Sequence, residues 1–154
     1  MARQPKTPLA RVCAALNAEK ARYLVVGAAA LQLWGSTRAT RDIDILIDPT
    51  PENAQRVIDA LATVGLGIAK ELTGEEILSR AVTVVGDSPN VDILTRAWNL
   101  RYSDAAPSSK TFRVESVPIP APSIEDLIES KQTGRLQDEA DIQVLEAIRD
   151  LRDR

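Results

Sequence analysis

The sequence predicts an α/β (α+β) fold, a mixed sheet flanked by helices in one domain spanning residues 1–154. Short β-branched runs alternate with stretches of helical apolar spacing, the pattern of strands covered by helices. A chain of 154 residues has the length of one ordinary domain. Its residues are 44% hydrophobic but only 3% aromatic, so the core is expected to be aliphatic.

Thr7 and Pro8 open a basic N-terminal helix over 7–19. Threonine is a good N-cap, and proline at the first helical position gives up only an amide that has no partner there. Leu9, Val12, Ala15 and Leu16 then share one stripe. Tyr23-Leu-Val-Val reads as a short buried strand ending at Gly27, with a helix from Ala28 to Leu33 directly behind it. Asp42-Ile-Asp-Ile-Leu-Ile47 alternates polar and β-branched residues as a strand does, and Asp48-Pro49 closes it. Thr50-Pro51 caps the next helix, with Val57, Ile58 and Leu61 turned inward and an end near Gly65.

Residues 67–81 fit no single pattern. Val82-Thr-Val-Val and Val91-Asp-Ile-Leu flank Gly-Asp-Ser-Pro-Asn as the arms of a hairpin, with Asp92 on the second arm. Residues 98–110 read as a loop, followed by short strands near 112–114 and 117–119 whose prolines suit a sheet edge. Two C-terminal helices are expected over about 123–152. Ser123 caps the first, which places Ile124, Leu127, Ile128 and Lys131 on one face. The last begins near Gln137, with Ala140, Ile142, Val144, Leu145, Ile148 and Leu151 as its apolar positions.

Composition narrows the chemistry. The one cysteine, Cys13, can form no disulfide within the chain, and no histidine is present to hold zinc or to activate a serine or cysteine. Carboxylates and lysines remain as proton-transfer groups, and carboxylate ligands favour hard cations such as Mg²⁺. No apolar run approaches the roughly 20 residues that span a bilayer, and the first residues lead into no hydrophobic signal, so a cytoplasmic protein without a membrane partner is expected. Residues 1–41 carry seven Lys/Arg against Glu19 alone, a basic side that suits a phosphate-bearing partner.

In a strand, residues two apart project from one face about 6–7 Å from each other, so Asp42 and Asp44 set like charges side by side. Asp92, expected on a neighbouring strand, would add a third carboxylate, enough for two metal ions about 3.5–4 Å apart. A bare Asp-x-Asp also fits a strand with one wet face. Gly27 offers either a tight turn or an approach for phosphate to the N–H groups that start the following helix. Arg38 and Arg41 either contact phosphate or balance the acids, and the strand alternation favours Arg38 for contact. Lys131 falls on the covered stripe of its helix, which suggests a cleft lysine.

These residues resemble the nucleotidyltransferase superfamily with the DNA-polymerase-β-like fold. The shared pattern is Val26-Gly27-Ala28, thirteen further residues, Asp42-Ile-Asp44-Ile, then Val91-Asp92-Ile93. Arg38-x-Thr40-x-Asp42-Ile-Asp44, together with Asp126 through Lys131 and Arg135 to Asp138 and Asp141, resembles the branch that holds abortive-infection and toxin–antitoxin nucleotidyltransferases. The resemblance implies a nucleotidyltransferase-like sheet with Asp42, Asp44 and Asp92 as ligands of two Mg²⁺ ions. It further implies Asp92 as the base toward an acceptor hydroxyl, Lys131 as a phosphate contact, and Gly27, Ala28, Arg38 and Thr40 around the nucleotide. Ala28 departs from the family's serine or glycine, leaving phosphate to backbone N–H groups and metal. The implied reaction moves an NMP from an NTP to a hydroxyl on an RNA or tRNA end or a protein, with a cognate toxin or antitoxin as a further partner. The same fold also serves antibiotic-modifying transferases and non-catalytic, antitoxin-like partner proteins.

Overall fold

The computed structural model describes residues 4–153 apart from positions 38, 41, 87 and 88. It is a mixed α and β structure in which Tyr23–Val26 (β1), Asp42–Ile47 (β2), Val82–Val85 (β3) and Asn90–Leu94 (β4) form a sheet of order β1-β2-β4-β3. β2 and β4 run parallel, and the outer pairs are antiparallel. The hairpin expected between 82 and 94 therefore forms, and its second arm docks against the Asp-x-Asp strand.

Alternation divides the sheet into two unlike faces. On one face Ile43, Ile45 and Ile47 join Val25, Val91 and Ile93 in the main core. Helices Pro8–Ala18 (α1) and Pro51–Thr63 (α3) supply Leu16, Val57 and Leu61 to the same core. Both helices begin as the sequence predicts, with the hydroxyls of Thr7 and Thr50 accepting from the amides of Ala10 and Asn53, caps worth about 1 kcal/mol each. Asn53 is fully buried in addition, accepting from Arg22 N and donating to the carbonyls of Arg22 and Asp48, which pins the neighbouring ends of β1 and β2.

The other face is apolar at one end only. Leu24, Val26 and Leu46 pack under a cover made by Ala97, Leu100 and Ala105. The cover corrects the expectation of a plain loop at 98–110: Tyr102–Ala105 form a short helix (α5) and a 3-10 turn follows at Ala106–Ser108. Its buried alanine and leucine are too widely spaced to show a helical period in so short a stretch. Residues 67–81 resolve into a 3-10 turn at Gly67–Glu71 and helix Gly74–Leu78 (α4), opened by a reciprocal Thr73–Glu76 capping box.

Lys110–Val114 (β5) and Val117–Ala121 (β6) pair only with each other, so the prolines at 118 and 120 interrupt no larger ladder. Helices Ile124–Ser130 (α6) and Leu136–Arg152 (α7) close the fold. Of the apolar positions of α7 only Leu145 is buried, while Val144 and Leu151 are 38% and 66% exposed. α7 carries two apolar lines, and the body takes up the one that also holds Asp138 and Asp141. Among the described residues no helix is long and apolar enough to cross a membrane.

Candidate active site

The polar half of the second sheet face holds the three carboxylates. β2 and β4 pair in parallel with Asp44 directly opposite Asp92 and Asp42 opposite Asn90. Across the sheet one row reads Val26, Asp44, Asp92, Val84, and the next reads Leu24, Leu46, Leu94, Val82. Asp44 thus stands where the small apolar cluster ends. Asp42, one pleat further out, is exposed, and its amide donates to Thr40 Oγ1 at 2.9 Å. Asn90 Nδ2 donates to Asp92 Oδ1 at 3.0 Å and fixes that carboxylate.

Asp44 is under electrostatic stress. Burial pushes its carboxyl up to about 7, and the charge of Asp92, a hydrogen bond shared with Asp92 and the charge of Asp42 push the same way, against the pull of Lys131. Its Oδ1 is buried with no hydrogen-bond partner. An unsatisfied buried carboxylate oxygen costs several kcal/mol when charged, so it calls for a proton or a cation. Among the described residues no three acidic, cysteine or histidine side chains are already gathered into a finished metal cage. Asp44 and Asp92 are nevertheless cross-strand neighbours, and Asp42 lies on the same face.

The helix behind β1, Gly27–Trp34 (α2), starts against this carboxylate. Its N-cap is Val26, which makes no side-chain cap, so the first-turn amides are not taken by a capping side chain. Gly27 has φ +65, and a Cβ there would overlap Asp44 Oδ2. Glycine is therefore required twice over, by the left-handed backbone and by the carboxylate beside it.

Lys131 closes the site from the C-terminal side. It stands at the C-cap of α6 rather than within the helix, and it is buried. Its Nζ donates to Asp141 Oδ2 at 2.9 Å and lies 3.8 Å from Asp138 Oδ1. Arg135 Nε donates to Asp138 at 2.8 Å, and Gln137 donates to Asp141 at 3.1 Å. Burial works to raise Asp138, but hydrogen bonds from Thr133 and Arg135 and the charge of Lys131 hold it below the usual carboxylate range.

Two clefts meet at Asp44. One, of about 290 Å³, is lined by Gly27, Ala28, Thr40, Asp42, Lys131 and Arg135. The other, of about 360 Å³, shares Gly27, Asp44 and Lys131 and runs toward Leu94 and Trp98. A larger hollow of about 550 Å³ lies beyond Asp42, against Pro8, Leu9 and Arg11.

The structure thus brings together Gly27, Ala28, Thr40, Asp42, Asp44, Asp92 and Lys131, while Arg38 and Arg41 lie outside the described residues. Asn90 was not expected at the site, and Asp138 and Asp141 entered only as members of the longer motif, with no role at the site. The last two carry a readable signal in their spacing of three on one helix face, one acid for each turn facing Lys131. Trp98 carries no such signal. No protein-family model and no curated protein matches this chain.

Proposed function

We propose that this chain is a metal-dependent nucleotidyltransferase that moves an NMP from an NTP to a hydroxyl acceptor, with release of pyrophosphate. The observation that carries this reading is the side-by-side pair Asp44 and Asp92, with Asp44 half-buried and its Oδ1 buried without a hydrogen-bond partner, next to an uncapped helix N-terminus. A hard dication answers that arrangement: Asp44 and Asp92 would hold it, with Asp42 as the third oxygen donor. When bound, Mg²⁺ supplies charge neutralisation for in-line displacement at the α-phosphate.

The chain's own groups supply the rest. The first amides of α2 and its dipole bind the phosphates, with Gly27 keeping the approach clear. Lys131, held in place by Asp141 and Asp138, presents positive charge to the same cleft. Asp92 takes the proton of the attacking hydroxyl, and Asn90 orients it. The acceptor class that suits this chemistry is an RNA end or a protein hydroxyl in the cytoplasm, where NTP and Mg²⁺ are abundant.

The test pairs binding with turnover. Calorimetry with Mg²⁺ and a non-hydrolysable NTP should show saturable binding that Asp42→Ala with Asp44→Ala abolishes. α-Labelled NTP offered to a tRNA pool, a protein pool and a panel of aminoglycosides should label one of the three. Asp92→Asn, which leaves Asp42 and Asp44 for the metal, should weaken nucleotide binding less than the Asp42→Ala, Asp44→Ala pair does and should lose label transfer. No binding by the wild-type chain, or undiminished labelling by the Asp42→Ala, Asp44→Ala protein, overturns the reading.

A further inference from the structure

We infer that the wall formed by Val82, Leu94 and Trp98 is the seat of the nucleobase of the NTP, an inference that rests on the nucleotidyltransferase reading above. The cleft of about 360 Å³ has two unlike ends. Gly27, Asp44, Lys131 and Arg135 stand at one end, and Val82, Leu94 and Trp98 stand at the other, with Arg96 also in the lining. A ligand that fills it is charged at one end and apolar and flat at the other. That describes a nucleotide laid lengthwise, and the volume lies within the range of small-molecule sites.

The sheet lattice explains why the wall is there. On the carboxylate face Val84 is opposite Asp92, and Val82 is opposite Leu94. The cover that buries Leu24, Val26 and Leu46 stops short of β3. Val82 and Val84 are consequently 46% and 64% exposed, and Trp98 is 51% exposed. Val82 and Trp98 line the cleft together, and Val84 follows Val82 on the same face of β3 beside Asp92, where an isolated exposed valine would need no explanation.

Trp98 is also held in an unusual way. Ala97 and Leu100 exchange both backbone hydrogen bonds at 2.9 Å, making a two-residue turn with Trp98 and Asn99 at its tip. Trp98 takes the first tip position with φ +55, where glycine is the usual residue. This strained position puts an exposed indole in the lining of the cleft. An indole face binds every nucleobase by stacking, so this wall serves NTPs as a class and gives no grip on the triphosphate alone.

The experiment compares wild-type protein with Trp98→Ala and Trp98→Phe by calorimetry, in Mg²⁺, using the α,β-methylene analogues of ATP, CTP, GTP and UTP and inorganic tripolyphosphate. Trp98→Ala should weaken at least one nucleotide analogue by about tenfold or more, leave tripolyphosphate unchanged, and be largely restored by Trp98→Phe. Trp98 is an exposed tip residue, so these variants fold. If Trp98→Ala binds every analogue as tightly as wild type, the base seat is overturned and the transferase reading stands. If wild type binds neither analogue nor tripolyphosphate, the transferase reading falls and the base seat falls with it. Light scattering on the same samples covers the other occupant of a free β3 edge. A wild-type dimer that Val84→Asp makes monomeric, with nucleotide affinity unchanged, assigns the wall to a second copy and overturns the inference.

Discussion

Asp44 must be charged to hold a cation, yet its surroundings favour the proton. That conflict gives a pH signature. Its carboxyl sits at about 7 when folded and near 3.8 when free, so the folded state holds a proton that the unfolded chain releases first. The resulting stability is fully present below about pH 4 and is lost as pH rises to about 7. Asp138 is shifted the other way and loses stability as pH falls, so the informative quantity is the difference between wild type and Asp44→Asn. In EDTA, thermal melts should show Asp44→Asn gaining on wild type steadily between pH 4 and 7 and holding a constant advantage above. A difference that stays flat across that range would contradict the burial assigned to Asp44. Gly27→Ala belongs to the same scale. Its methyl meets Asp44 and its backbone must hold φ +65, so a loss of about 1–3 kcal/mol and of nucleotide binding is expected by denaturant titration and calorimetry.

Among the elements, those with strong periodicity and chemical caps were legible in the sequence. α1 and α3 start at Thr-Pro pairs whose hydroxyls do cap them, and β2 spans the residues its alternation marked. Asp92 was expected on a strand neighbouring Asp42 and Asp44, and it stands there; the parallel sense of β4 on β2 and the register that sets Asp92 directly opposite Asp44 were not legible, because pairing between distant strands leaves no local trace. Nor was the cover at 97–105, where small residues bury without a period. Lys131 was recognised as a covered lysine, but its partners come from the next helix and were recognised only through their part in a longer motif. This network is testable as a unit. Lys131→Met removes the buried ammonium that pairs closely with Asp141 and stands near Asp138, while Arg135 still pairs with Asp138, and should cost about 3–5 kcal/mol. Denaturant unfolding of Lys131→Met, with and without Asp141→Asn, checks it: the double variant should recover part of the loss. Equal loss in both would mean that Lys131 acts through packing alone.

At the scale of the molecule the sheet does two jobs with two faces. One is apolar apart from Thr83 and the Tyr23 hydroxyl and carries the stability. The other grades from Leu24 and Leu46 to Asp42 within a few pleats, so the site is built on a rigid support rather than on loops. Ligand and stability are therefore linked. Mg²⁺ with a non-hydrolysable NTP should raise the melting temperature in proportion to the logarithm of ligand concentration. The same ligand should remove the pH dependence attributed to Asp44, because the cation takes the place of the proton. Asp44→Asn should show neither effect.

The parallel pairing of β2 with β4 also governs when function can arise. A parallel ladder needs a long crossover, here α3 through β3, before its two strands can meet. Loop closure of that length comes late among folding events. A chain emerging from the ribosome has Asp42 and Asp44 long before it has Asp92, and until β4 is seated it presents a lone acidic strand. The site is therefore all or none. On the proposed function, nucleotide binding should return in a refolding time course only with the phase that seats β4, and binding that precedes that phase would contradict this order of assembly.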